Sequence, residues 1–239
     1  MTGRPDGRVA LVTGASRGIG AAAAVELGRR GLHVVLVART PGGLEETDDA
    51  IRAAGGSATL LPLDLTEGAQ LDMLGPSILQ RFGRLDVLVG CAGTLGKLTP
   101  VAHITDRDFS RTMAINVEAG LRLIRTCAPL LVAGPAGRAV FVTARAARHP
   151  RAYWGLYGAT KAAMEHLVLC WAEETERTPL RINLFDPGAV ATRLRRAAMP
   201  GEDASRLPKP EDVAPLLADF CGEEETRHGQ VLRRETMPA

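Results

Sequence analysis

Apolar residues in this chain gather in short unbroken runs. They are RVALVT (8–13), HVVLVA (33–38), SATLLPL (57–63), LDVLVG (85–90), RAVFVT (138–143) and RINLF (181–185). Most are continuous rather than alternating, as expected of strands covered on both faces. Segments of helical character separate them, over 18–30, 43–54, 69–81, 106–132, 153–176 and 210–221, before a possible edge strand at 230–233. Gly31 is a natural stop for the first of these helices. Repeated strand–helix alternation predicts an α/β fold: a doubly wound, mainly parallel sheet with right-handed crossovers and helices on both faces. Residues 94–105 and 188–209 fit neither element. Both follow strands, where open α/β sheets bind ligands, and the second is long enough to act as a lid.

Composition narrows the class. The chain has 239 residues, 46% hydrophobic and 23% charged, enough for one large core and incompatible with disorder as the main state. Lys and Arg number 29 against 27 Asp and Glu, so the net charge of +2 does not suggest nucleic acid or an acidic membrane as partner. Cys91, Cys127, Cys170 and Cys221 form no CxxC pair, and no zinc site, other metal or disulfide framework is expected. The N-terminus is charged where a secretory peptide is apolar, and no apolar run nears the ~20 residues of a membrane span. A reduced, cytoplasmic protein is the expectation.

The chemistry starts at TGASRGIG (13–20), between the first strand and the first helix. Gly14, Gly18 and Gly20 allow a tight turn and close backbone approach to a phosphate, and the helix behind them offers free N–H groups. Arg39 follows the second strand at the place of a ribose selector, and no acid occurs over 34–43. With Arg17 in the turn, it favours NADP(H) over NAD(H).

The chain's two tyrosines, Tyr153 and Tyr157, fall at the start of the fifth predicted helix, and Lys161 lies four residues beyond Tyr157 on the same face. A lysine ammonium ~4 Å from a phenol supplies about 4 kcal/mol at an effective dielectric of 20. That is enough to bring a pKa near ~10 down by ~2–3 units and make Tyr157 an acid/base group.

TGASRGIG, DL at 64–65, AG at 92–93, Asn116, YGATK at 157–161 and DPGAVAT at 186–192 together resemble the successive motifs of the short-chain dehydrogenase/reductases over essentially the whole chain. RAYWGLYGATKAAMEHL is most similar to the bacterial YciK-like branch. The resemblance implies a single Rossmann domain over 1–239 with the lid at about 188–209, and an oxidoreductase moving hydride between NADP(H) and a carbonyl or alcohol. It implies that Gly14, Ser16, Gly18, Ile19 and Gly20 line the pyrophosphate, that Asp64 and Leu65 flank the adenine, and that Ala92 and Gly93 pass beneath its ribose. Tyr157 would exchange the proton at the substrate oxygen, with Lys161 on the nicotinamide ribose. Asn116 would hold a water leading from Lys161 to solvent, and Pro187, Gly188, Val190 and Thr192 would seat the nicotinamide. It further implies a homodimer or homotetramer built on the two longest helices, whose Leu121, Leu123, Leu167 and Trp171 face outward or toward the sheet.

The pattern breaks at two places. The family's serine, 13 residues before the tyrosine, is Ala144 here, so a donor to the substrate carbonyl is missing. Thr143 could replace it only if the strand bulges or ends early, since neighbouring strand residues face opposite ways; His149 is the other nearby donor. A cofactor-binding protein with little or no turnover therefore stands as the alternative, and a non-redox reaction on the same scaffold as a third. Gly90–Cys91 replaces two asparagines, predicting local rearrangement, with Cys91 a small buried residue and no nucleophile. Arg145, Arg148 and Arg151, with Arg193, Arg195 and Arg196 in the lid, suit either an anionic substrate or solvated loops.

Overall fold

The computed structural model describes residues 7–234. The charged residues 1–6, and both extreme ends of the expected 1–239 domain, lie outside the described residues. Seven strands make one sheet: β1 Val9–Thr13, β2 His33–Ala38, β3 Ser57–Pro62, β4 Val87–Gly90, β5 Arg138–Val142, β6 Arg181–Asp186 and β7 Gln230–Arg233. Their order is β3-β2-β1-β4-β5-β6-β7, and every neighbouring pair is parallel. The expected doubly wound sheet is what the chain builds.

The helices are α1 Gly18–Arg29, α2 Pro41–Ala53, α3 Gly68–Asp72, α4 Leu74–Phe82, α5 Asp106–Met113, α6 Ala119–Ala133, α7 Gly155–Glu174, α8 Arg193–Ala198 and α9 Pro210–Asp219. Val9 and Leu11 of β1 enter one core with residues of α3, α4, α6 and α7; Ala10 and Val12 enter a second core with α1, α2 and α9. Two buried faces explain why the strands read as unbroken apolar runs. From β1 the chain runs out to β2 and β3, then returns to β4 on the other side. The reversal opens a crevice beyond the carboxyl ends of β1 and β4, the usual ligand position in such sheets.

Several helix limits differ from the expectation. The 69–81 helix divides at Met73 into α3 and α4. Pro76 has no N–H to continue the ladder, and bonding resumes only with Ser77 N–H to Met73 O at 3.0 Å. The 106–132 helix is one rod with a π turn at Ala114–Glu118, where the Ala119 N–H reaches back to Ala114 O. The last long helix begins at Gly155, not 153: Tyr153 has φ +74°, outside helical space, and Trp154 is the N-cap. Leu123 and Trp171 are core residues, so only Leu121 and Leu167 of the four expected contacts are part-exposed. The 188–209 segment contains α8, is capped by Thr192 and is pinned at its base by Ala191 N–H to Pro208 O at 2.9 Å.

At the amino ends of the inner strands β1 and β4, away from the crevice, Asp86 is buried; its Oδ2 accepts from Val9 N–H at 2.8 Å and from Arg84 Nε at 2.8 Å. Asp86→Ala leaves a buried amide unpaired and should cost about 1–3 kcal/mol. Urea unfolding checks this as a lower midpoint at unchanged slope.

Candidate active site

The crevice is a cavity of about 990 Å³. Its wall includes Gly14, Ser16, Arg17, Gly18, Ile19, Gly20, Arg39, Asp64, Leu65, Ala92, Gly93, Ala144, Tyr157, Lys161, Pro187, Gly188, Val190 and Thr192. One cavity thus gathers every expected site residue except Asn116, which sits one layer behind.

Main chain packs on main chain at its floor. A Cβ on Gly20 would lie 2.4 Å from Gly14 O, and one on Gly14, at φ +68°, would lie 2.9 Å from Ala92 Cα. α1 starts at this point with Arg17 as its N-cap and no side-chain hydrogen bond to the cap. The first-turn N–H groups therefore face the cavity without a side-chain acceptor, and a pyrophosphate fits that donor set. Arg17 and Arg39 are exposed at the same end. Asp64, from the β3–α3 connection, lies 3.5 Å from the Arg39 guanidinium. Its slight burial favours protonation, but hydrogen bonds from Thr66 and the charge of Arg39 outweigh it and hold the carboxyl below its usual range.

Tyr157 and Lys161 are both buried in the first two turns of α7. The ammonium is 5.9 Å from the Tyr157 ring centre and donates to Val142 O at 2.9 Å. The expected acidification of the phenol is not found in this structure. Burial, with the charge of Asp186 adding to it, pushes Tyr157 up to about 12. Burial also lowers Lys161 to about 8, partly opposed by Cys91, Glu165 and Asp186. Solvent exclusion exceeds the attraction that helical spacing alone suggested, so the phenol carries its proton at neutral pH.

Asn116 lies in the π turn and is nearly saturated. Its Oδ1 accepts from Thr94 N–H at 2.7 Å, and its Nδ2 donates to Thr94 O and Thr160 Oγ1, both at 2.9 Å. A water relay there would run through the second lone pair of Oδ1 or the main chain, since both amide hydrogens are spent. Asn116 thereby braces the segment after Gly93 against the helix bearing Tyr157.

Ala144 is extended and lines the cavity. Thr143 does not take the serine's place: it is buried, and its hydroxyl donates to Glu165 Oε1 in a short hydrogen bond. His149 reaches the wall from an exposed loop position. Gly158 lets α7 approach this loop; a Cβ there would lie 2.7 Å from Ala146 O. Gly90 stands opposite Phe141 in the β4–β5 register, and a Cβ would fall 2.4 Å from its ring. The aromatic ring occupies the room that a longer residue at 90 would need. Cys91, expected to be buried, is only part-buried and lines the cavity; desolvation of its thiol nonetheless pushes it up to about 12, against the charge of Lys161, so it is not a ready nucleophile.

One further network is not legible in the sequence. Arg148 donates to Glu165 Oε1 at 2.7 Å and to Asp186 Oδ2 at 2.9 Å, while Asp186 Oδ1 accepts from Gly188 N–H at 3.1 Å. It ties the loop after β5 to α7 and to the start of the 188–209 segment. Glu165 could have been suspected, one turn beyond Lys161; the partnership with Arg148 joins distant parts of the chain and leaves no local pattern. Among the described residues no group of His, Cys, Asp and Glu is gathered as for a metal ion.

Lys161 binds its proton less tightly folded, at about 8, than at its ordinary 10.5. Between those values the unfolded chain holds more protons, so this group makes stability rise with pH there. The difference in unfolding free energy between wild type and Lys161→Met should therefore move toward the wild type from pH 8 to pH 10.5 and stay flat from pH 6 to pH 7. Urea titrations across that range test it.

Comparison with known proteins bears on the whole chain. The short chain dehydrogenase family model matches residues 8–203. The uncharacterized oxidoreductase YciK of Escherichia coli strain K12 is 33% identical over 223 residues, 92% of this chain and 88% of that protein. A Pseudomonas syringae structure assigned as a short chain dehydrogenase superposes with a TM-score of 0.91 at 38% identity, covering 96% of this chain and 95% of the other. One from Shigella flexneri 2a strain 301, complexed with NADP, gives 0.91 at 33% identity over 97% and 98%.

Proposed function

The chain belongs to the short chain dehydrogenase family, and on that footing we propose that it is an NADP(H)-dependent oxidoreductase interconverting a carbonyl and an alcohol, with Tyr157 exchanging the proton. The observation that carries this reading is the shared cavity: the uncapped α1 terminus, Arg39, and the buried Tyr157–Lys161 pair all open onto it. The cofactor, when bound, supplies or accepts the hydride. The first-turn N–H groups of α1 hold its pyrophosphate, and Arg17 and Arg39 hold the 2′-phosphate that marks NADP(H). The NADP found with the Shigella flexneri relative supports that preference.

The protonated phenol suits the reductive direction. Tyr157 donates its proton to the substrate oxygen as negative charge develops there, and Lys161, held by Val142 O, keeps a positive charge beside it below about pH 8. Asn116 positions Thr94 and Thr160 around this pair, and residues 188–209 act as the lid that excludes water. Ala144 leaves the substrate oxygen with one donor fewer, a loss that typically lowers turnover about 10²–10³-fold. We read the chain as a cytoplasmic homodimer or homotetramer; among the described residues no helix is long and apolar enough to cross a membrane.

Tyr157→Phe should abolish NADPH oxidation with reactive carbonyls while leaving NADPH binding by calorimetry within about threefold, since it removes the proton donor but no phosphate contact. The second reading, a cofactor-binding protein with little turnover, is favoured by Ala144 and by the commitment of Thr143 to Glu165. Ala144→Ser separates the two: a silent wild type with an active variant supports the second reading, whereas measurable wild-type turnover that the serine raises further supports the first.

Arg39 gives a separate test. NADPH should bind about tenfold or more tighter than NADH, about 1.4 kcal/mol, and Arg39→Asp should reverse the order. Equal affinities in the wild type would remove the 2′-phosphate assignment.

A further inference from the structure

Resting on the reading of Tyr157 as the group that meets the carbonyl, we propose that the substrate carries an anionic group, a carboxylate or phosphate, a few bonds from that carbonyl, and that Arg151 and Arg145 receive it. Three arginines of the loop after β5, Arg145, Arg148 and Arg151, line the same cavity as Tyr157. Their circumstances differ. Arg148 is committed to Glu165 and Asp186. Arg145 and Arg151 form no ion pair among the described residues. Glu202, the acid whose charge is felt by Arg151, is held by Arg195 through two hydrogen bonds of 2.6 Å. The acids on the cavity wall are Asp64, beside Arg39, and Asp186, beside Arg148. The Tyr157 end therefore holds two arginines that no acid among the described residues pairs, in a concave wall that concentrates their field.

The spacing is set by aromatic contacts. Trp154 stands edge-on to Tyr157 with ring centres 5.9 Å apart, and the Arg151 guanidinium lies 5.8 Å from the Trp154 ring centre. A planar guanidinium placed over an indole keeps its edge free for bidentate contact with a carboxylate or phosphate. Trp154 thus has both the Tyr157 ring and the Arg151 guanidinium as direct neighbours. The cofactor's 2′-phosphate does not account for this charge. Arg39 follows β2 and Arg145 follows β5, three strand positions apart in the sheet, about 14 Å at ~4.8 Å per strand.

Two measurements test the assignment in the full-length protein saturated with NADP⁺ or NADPH. Trp154 fluorescence is titrated with succinate, glutarate and glycerol phosphate against succinamide and glycerol; the other tryptophan, Trp171, is buried in the core. NADPH oxidation is then compared for succinate semialdehyde against butanal and for levulinate against its methyl ester. The expected result is saturable binding of at least one anion and a kcat/KM about tenfold or more higher for an anionic carbonyl than its neutral counterpart, both lost in the R145Q/R151Q double variant. Both arginines are exposed, so the variant keeps the fold, and circular dichroism verifies that.

Equal responses to anionic and neutral probes, or a preference that survives the double variant, overturns the proposal. Failure of the oxidoreductase reading looks different: NADPH binds but no carbonyl oxidises it, while the fluorescence titration still reports whether the cavity takes an anion.

Discussion

The cleft depends on how closely backbone passes backbone at the carboxyl edge of β1. Gly20 lies so near the Gly14 carbonyl, and Gly14 so near Ala92, that no side chain fits at either glycine without displacing main chain. That contact fixes the start of α1 relative to β4. The same edge points the α1 N–H groups into the cavity, and Asn116 then carries the alignment onward by bonding both Thr94 and Thr160. A turn, a strand end and a helix two layers away thereby share one geometry.

Burial then governs the chemistry. A phenol and an ammonium one helical turn apart, considered in isolation, suggest an acidified tyrosine. Inside the folded chain the ammonium serves the Val142 carbonyl, and both groups are driven toward their neutral forms. The sequence could supply the spacing but not the solvent exclusion, because exclusion comes from α7 packing against β6 and the loop after β5. The resulting neutral phenol and weakly held lysine proton favour giving a proton over taking one.

What was legible in the sequence was local. The continuous apolar strands followed from two-sided burial, and the strand–turn–helix at 13–20 could be read because Gly14, Gly18 and Gly20 fall within one short stretch of chain. Boundaries governed by one residue were harder: Pro76 splits a helix whose pattern runs on, and the left-handed backbone at Tyr153 delays α7 to Gly155. Leu123 and Trp171 could not be assigned to a face until the π turn had set the rotation of α6 and the sheet had fixed α7. The bridge from Arg148 to Glu165 and Asp186 left no trace, since its members are 17 and 38 residues apart and meet only through the sheet crossover.

The pairing of Gly90 with Phe141 has a consequence for how this chain can vary. With the ring filling the space above Gly90, a larger residue at 90 is admissible only if 141 shrinks in the same step. The two positions form a linked pair on adjacent strands, closed to stepwise exchange. Glycine at 90 is thus demanded by the ring on the next strand and not by the conformation of its own backbone.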